Sequence, residues 1–128
     1  MALELDVRRG DAVTTLVVDQ PDDDDVERAL DCLDERHHTE LTIVGDDGQY
    51  LVVCGGNGRY HVSISSDEHD DTIVLQAVAA EPSGDAMLTV GGRTLRVPAR
   101  SVIGRVEAAR AARWFLASGR PDPGQAWR

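Results

Sequence analysis

The chain has 128 residues, 41% of them apolar, and a formal net charge of −10, which suits one domain with one core and excludes an intrinsically disordered chain. No apolar run reaches the roughly 18 residues that a membrane-spanning helix needs, and Met1-Ala2-Leu3-Glu4-Leu5-Asp6 lacks the basic-then-apolar order of a secretory signal. The two cysteines, Cys32 and Cys54, have no close-set spacing and are expected as reduced thiols in a cytoplasm rather than as a disulfide framework.

Leu3-Glu4-Leu5-Asp6-Val7 alternates apolar and polar residues and predicts a half-buried strand. Arg9-Gly10-Asp11 turns it into a second strand, Val13 to Val18, giving an N-terminal hairpin. Gln20-Pro21-Asp22 then introduces a helix over about 22–38. Asp22 is its cap, Asp23, Asp24 and Asp25 sit in the first turn where the helix dipole favours acids, and Val26, Ala29, Leu30 and Leu33 form its apolar stripe. Strands Glu40 to Val44 and Tyr50 to Val53 flank Asp46-Asp47-Gly48, a strong hairpin signal. Gly55 to Gly58 reads as the next turn, leading into Arg59 to Ser65; this register pairs Cys54 with Arg59 and His61 with Val52. Ser66 to Asp71 is an acidic loop. Ile73 to Val78 and Met87 to Val90 are further strands joined through Pro82-Ser83-Gly84, and Gly91-Gly92 turns the chain into Thr94 to Val97.

A second helix, over about 102–118 with its start between Ser101 and Arg105, puts Ala108, Ala111, Ala112, Phe115 and Leu116 on the side facing the sheet, with Glu107, Arg110 and Trp114 opposite. Gly119 suits the left-handed position after it, and Pro121 prevents continuation. Trp114 therefore points away from the sheet unless the tail bearing Trp127 covers it. The expected architecture is a single α+β domain spanning 1–128, a mostly antiparallel sheet of about six to eight strands with both helices packed on it.

Catalytic and cofactor chemistry finds little support. His37, His38, His61 and His69 form no His-Glu-x-x-His, and the cysteines no Cys-x-x-Cys, so a zinc site is not expected. Neither Asp22 to Asp25 nor Asp67, Glu68, Asp70 and Asp71 has the alternating ligands, central glycine and distal glutamate of a calcium loop. Gly55-Gly56-Asn57-Gly58 lacks the Lys-Ser/Thr of a phosphate loop. Cys54 and His61 share a hairpin, but the expected register keeps thiol and imidazole apart.

Charge is split along the chain. Residues 1–90 hold 21 acids and five arginines (−16), residues 91–128 hold eight arginines against Glu107 and Asp122 (+6), and lysine is absent. The acidic majority opposes nucleic acid and favours basic partners; Arg93, Arg96, Arg100, Arg105, Arg110 and Arg113 form no aromatic-interleaved basic platform. A small, acidic, non-catalytic domain of this kind binds other proteins.

Val97-Pro98, the alanine-rich helix with Trp114-Phe115, then Ser118-Gly119-Arg120-Pro121 and a near-terminal Trp127, resembles the Imm-one family of bacterial immunity proteins, which neutralise toxins of polymorphic toxin systems. Gly119 followed eight residues later by Trp127 carries the resemblance, and Gly91-Gly92 fits the hairpin that precedes the helix in that family. The similarity is tight over about residues 86–128 and compatible in size and strand pattern before that. It implies an α+β protein, and the residue patterns above add the expectation that it is cytoplasmic, without catalytic, metal or cofactor sites, and with neither nucleic acid nor membrane as partner. Its partner would be a cognate toxin domain encoded by a neighbouring gene, often of the nucleic-acid deaminase type.

An acidic protein can occupy the basic substrate channel of such a toxin as a competing polyanion. The expected contact surface is Asp46, Asp47, Asp67, Glu68, Asp70 and Asp71, since capping already accounts for Asp22 to Asp25. Gly119, Trp127 and Trp114 are expected to be structural, with Trp127 folded back near Trp114 over the helix–sheet core. The competing class is an acidic secretion chaperone holding an exported effector, which a homodimer with a long exposed apolar surface would mark.

Overall fold

Alternation of apolar residues sets the sheet from its first strand onward. In the computed structural model, which describes residues 1–67, 71–77 and 84–128, β1 (Ala2–Arg9), β2 (Ala12–Asp19), β3 (Glu40–Val44), β4 (Gln49–Gly56), β5 (Arg59–Ser66) and β6 (Ile73–Val74) form one sheet in the order β2-β1-β3-β4-β5-β6. Every pairing in it is antiparallel. β7 (Asp85–Val90) and β8 (Arg93–Pro98) make a separate antiparallel hairpin. α1 (Asp23–Cys32) follows β2, and α2 (Arg105–Ser118) follows β8 through a 3-10 turn at Ala99–Ser101. The protein is thus α+β with a mostly antiparallel sheet, as the sequence predicts.

The register places Leu3, Leu5, Leu41, Ile43, Leu51, Val53, Val62 and Ile64 on one face, where they are buried. Val26, Ala29 and Leu30 of α1 and Ala108, Ala111, Ala112 and Phe115 of α2 complete the same core. Burying each large side chain there contributes about 1.5–3 kcal/mol. Alanines at 108, 109, 111 and 112 leave little bulk between α2 and its neighbours, which allows the helix to approach both α1 and the sheet closely. Arg105 ties the helices together, donating to Glu27 at 2.7 Å and Asp31 at 2.9 Å, while Arg113 reaches Glu27 at 2.8 Å.

α1 begins as its acids predict. Asp22 accepts from the Asp25 amide at 2.8 Å and Asp25 accepts from the Asp22 amide at 2.9 Å, a reciprocal capping box. Its end differs from the expected His37-His38: the helix stops at Cys32, with Leu33 extended. The cause is Asp34, whose Oδ1 accepts from the amides of Arg36, His37 and His38 at 2.8–3.0 Å, while Glu35 takes a left-handed φ of 64°. A short acidic side chain thus supplies the backbone donors with a partner outside the helix. α2 starts at Arg105, the late end of the expected Ser101 to Arg105 window, because Ile103 is held extended by paired backbone bonds with Tyr60 at 2.9 and 2.8 Å.

The β4–β5 turn also differs from the expected Gly55–Gly58. Only Asn57 and Gly58 turn, with φ of 56° and 85°, the two positive values that a tight Asn-Gly hairpin requires. Gly55 and Gly56 instead continue the strand. Their lack of a side chain serves close approach: a Cβ on Gly55 would sit 2.2 Å from the Arg59 carbonyl oxygen, and one on Gly56 would sit 2.7 Å from that of Leu33. The strand expected over Ile73 to Val78 is shorter, since β6 ends at Val74, and Val78 lies outside the described residues. Among the described residues no helix is long and apolar enough to cross a membrane.

Candidate functional site

The acidic tips converge. Asp46 and Asp47 lie in the β3–β4 turn, and Asp46 accepts from the Met1 amino group at 3.0 Å. Asp67 follows β5, and its amide donates to the Gly48 carbonyl at 3.1 Å, so this segment lies beside that turn. Asp71 lines a hollow with Gln49, Ser66 and Pro121 at the same end of the sheet. Glu68 and Asp70 lie outside the described residues. Asp22, Asp23 and Asp24 line a cleft with Leu116 and Ala117 at the end of α2, and Gly119 just beyond it faces the Met1 side chain. One pole of the molecule therefore gathers carboxylates from the α1 cap, the β3–β4 turn and the segment after β5. Like charges so placed reinforce one another's field without needing contact.

A second acidic feature escaped the sequence reading. Glu4, Asp6, Thr15, Glu40 and Thr42 line a shallow depression on the sheet face opposite the helices. Asp6 is tied down there, accepting from the Thr39 amide at 2.6 Å, the Glu40 amide at 2.9 Å and Arg8 Nε at 2.9 Å. Burial raises its pKa, but the Thr39 hydroxyl, these amides and Arg8 together hold it below the usual value. Burial, and then the Asp6 charge, push Glu40 upward against the opposing pull of Arg8. The signal was present in Leu3-Glu4-Leu5-Asp6: the polar half of an alternating strand marks whatever faces away from the core.

Arg105, Arg110 and Arg113, three of the eight arginines in residues 91–128, are committed to pairs within the protein. Arg105 and Arg113 hold α1, and Arg110 Nε meets the buried Asp122 carboxylate at 2.7 Å. Asp122 also accepts from the Gly124 amide at 2.8 Å, and its carbonyl accepts from Trp127 Nε1 at 3.0 Å. Trp127 bridges to Leu75 at the β6 edge and packs against the core. Gly119 takes φ 70° and ψ 16° and closes α2, its amide donating a hydrogen bond to the Phe115 carbonyl at 2.7 Å. Trp114, expected to be covered if the tail folded over it, remains 44% exposed; the tail runs instead to the sheet edge beyond Val74.

Cys54 and His61 are direct cross-strand partners, which corrects the expected register and follows from the two-residue Asn57-Gly58 turn. Their proximity does not make a nucleophile. Burial, with Glu40 and Asp6 adding to it, pushes the Cys54 thiol up to about 12, and burial pulls His61 down. Thiol and imidazole are both neutral near pH 7, so no thiolate is available to attack. Cys32 is exposed and Cys54 buried, so a disulfide-exchange reagent is expected to label one thiol rapidly in the native protein and both after unfolding. Rapid native labelling of a Cys32→Ser variant would contradict this assignment. Among the described residues, no group of three or more His, Cys, Asp or Glu side chains could hold a metal ion.

The comparisons agree with the C-terminal resemblance. A family model described as Immunity protein Imm1 matches residues 11–128. No curated protein matches the chain. Because that model spans all of β2 to β8, both helices and the Trp127 tail, the chain belongs to the Imm1 immunity protein family.

Proposed function

We propose that this protein binds and neutralises a nucleic-acid-targeting toxin domain of the deaminase type by presenting its acidic pole to the toxin's basic substrate channel. The family supports an immunity role and thereby a toxin partner. The observation that carries the finer reading is the convergence of Asp46, Asp47, Asp67 and Asp71 at one end of the sheet, in a chain with net charge −10. A channel that accepts polyanionic nucleic acid is basic, and an acidic surface competes for it while accelerating encounter. No chemistry is asked of the protein: occlusion suffices.

Co-expression with the neighbouring toxin gene tests the role directly, and restored growth is the expected result. Failure to bind or rescue against that product would remove the immunity reading, whereas a homodimer that holds an unfolded effector would favour a secretion chaperone. Reversing the charge at Asp46, Asp47, Asp67 and Asp71 together tests the surface. Association is expected to slow by about tenfold or more at low salt, with a flatter dependence on ionic strength. An unchanged rate and salt slope would reduce the pole to mere solvation.

A further inference from the structure

The two edges of the six-stranded sheet are finished differently. At β6 the chain covers its own edge: Val74 and Arg128 exchange backbone hydrogen bonds at 3.0 and 2.9 Å, and the Gln76 amide donates to the Ala126 carbonyl at 2.8 Å. β2 is the other edge, and it is exposed along nearly its whole length. The Gln20 amide donates to the Met1 carbonyl, which fixes the alternation of the β1–β2 ladder. Even-numbered residues of β2 bond inward to β1, so the backbone groups of Val13, Thr15 and Val17 point outward. Val13, Leu16 and Val17 are each more than half exposed, at 54%, 53% and 52%. Between Ala12 and Val18 there is neither a charge nor a proline, the usual protections of an open edge.

The depression described above adjoins this edge. Val17 stands opposite Glu4, and Thr15 opposite Asp6. Asp6 is occupied by Thr39, the Glu40 amide and Arg8, whereas Glu4 and Glu40 line the hollow as half-buried carboxylates. The far end of β2 runs into the acidic pole: Asp19 pairs with Ala2, and Ala2 with Val44 just before the Asp46 turn.

From this placement we infer that β2 and its adjoining depression are the anchoring part of the toxin interface. An extended segment of the toxin pairs along β2 as an added strand, and a basic side chain from it enters the depression toward Glu4 and Glu40. The inference rests on the immunity reading and deepens it. The acidic pole then steers the encounter from the rim, while the outward-facing backbone groups and exposed valines of β2 hold the complex at its centre, the division of labour found in specific interfaces. Charge selects the occupant. A second copy of this chain would bring another net −10 and a second acidic depression to the same seam; a basic segment gains where that copy is repelled.

The test uses full-length protein and the catalytically inactivated product of the adjacent toxin gene. Thr15→Pro leaves the ladder to β1 in place, since the Thr15 amide points outward, but denies a donor to any added strand. Val17→Arg sets a like charge against a basic segment at an already exposed position. Each is expected to weaken binding by about tenfold or more, with the thermal midpoint of Val17→Arg unchanged. Hydrogen exchange of the wild-type complex should show protection over residues 12–19. Binding by Val17→Arg within about twofold of wild type, without that protection, overturns the inference while leaving the immunity role standing. Absence of wild-type binding overturns the role itself. A concentration-dependent dimer that protects β2 without toxin assigns the edge to a second copy and also overturns the inference.

Discussion

Trp127→Ala is expected to lower the stability of the free protein by about 2–3 kcal/mol, below the range for fully buried aromatics because the ring is only half-buried. For a domain of this size that is a fall in Tm of about 8–12 °C. The ring packs against the core, its Nε1 donates to the Asp122 carbonyl at 3.0 Å, and its residue bridges to Leu75. Removing it loosens the strap formed by the Arg110–Asp122 pair, the Gln125 amide on the Glu107 carbonyl and the backbone pairing of Arg128 with Val74. Calorimetry of the free protein and titration with toxin separate two roles. If Trp127 is structural, Tm falls while affinity measured well below the new Tm stays within a few-fold of wild type. A large loss of affinity with Tm unchanged would instead place Trp127 in the interface.

Asp6→Ala is expected to cost about 3 kcal/mol. The change leaves the Thr39 and Glu40 amides without their acceptor, and hydrogen bonds to a charged group contribute about 1.5–3 kcal/mol each. Asp6→Asn should lose less, because one acceptor oxygen remains. The pH dependence follows from the direction of the shift. The folded pKa of Asp6 is lowered, so its contribution is fully present above the unfolded carboxylate value and is lost as pH falls through the folded one. Asp34 acts in the same direction: burial opposes it, but the amides of His38, Arg36 and His37 and the His37 ring hold it well below the usual range. Glu40, raised by burial and the Asp6 charge, works against them, since protonating it on acidification relieves a cost. Urea midpoints should therefore be level from pH 7 to about 5 and fall below that, with a shallower fall in Asp6→Ala. Parallel acid limbs for wild type and variant would show that Asp6 is not a principal acid-sensitive group.

Secondary structure was legible where one local pattern governed. The Leu3-Glu4-Leu5-Asp6 alternation gave β1 and its buried face, the Asp22–Asp25 acids gave the α1 cap, and Ala108, Ala111, Ala112 and Phe115 gave the buried side of α2. It is ambiguous where two patterns compete. Gly55 to Gly58 holds three glycines, and only Asn57-Gly58 turns; the other two are glycine because the Arg59 and Leu33 carbonyls press against them, a long-range constraint invisible in a local window. The shorter turn also shifts the register by two residues and sets Cys54 opposite His61. The apolar stripe of α1 continued to Leu33, but a single aspartate, Asp34, drew the following amides out of the helix.

The sequence by itself determined the fold class, the acidic character and, through Gly119 and Trp127, the family. Each of these is written in composition or in short-range spacing. Tertiary structure alone decided what faces what. It brought the Asp46 turn, the Asp67 segment and the α1 cap to one pole, set Glu4 and Glu40 in a depression beside β2, and closed the β6 edge with the tail while leaving β2 open. The reason is physical: strand order and sheet edges are fixed by pairing between residues distant in the chain, and the energy of that pairing leaves no mark on its immediate neighbours.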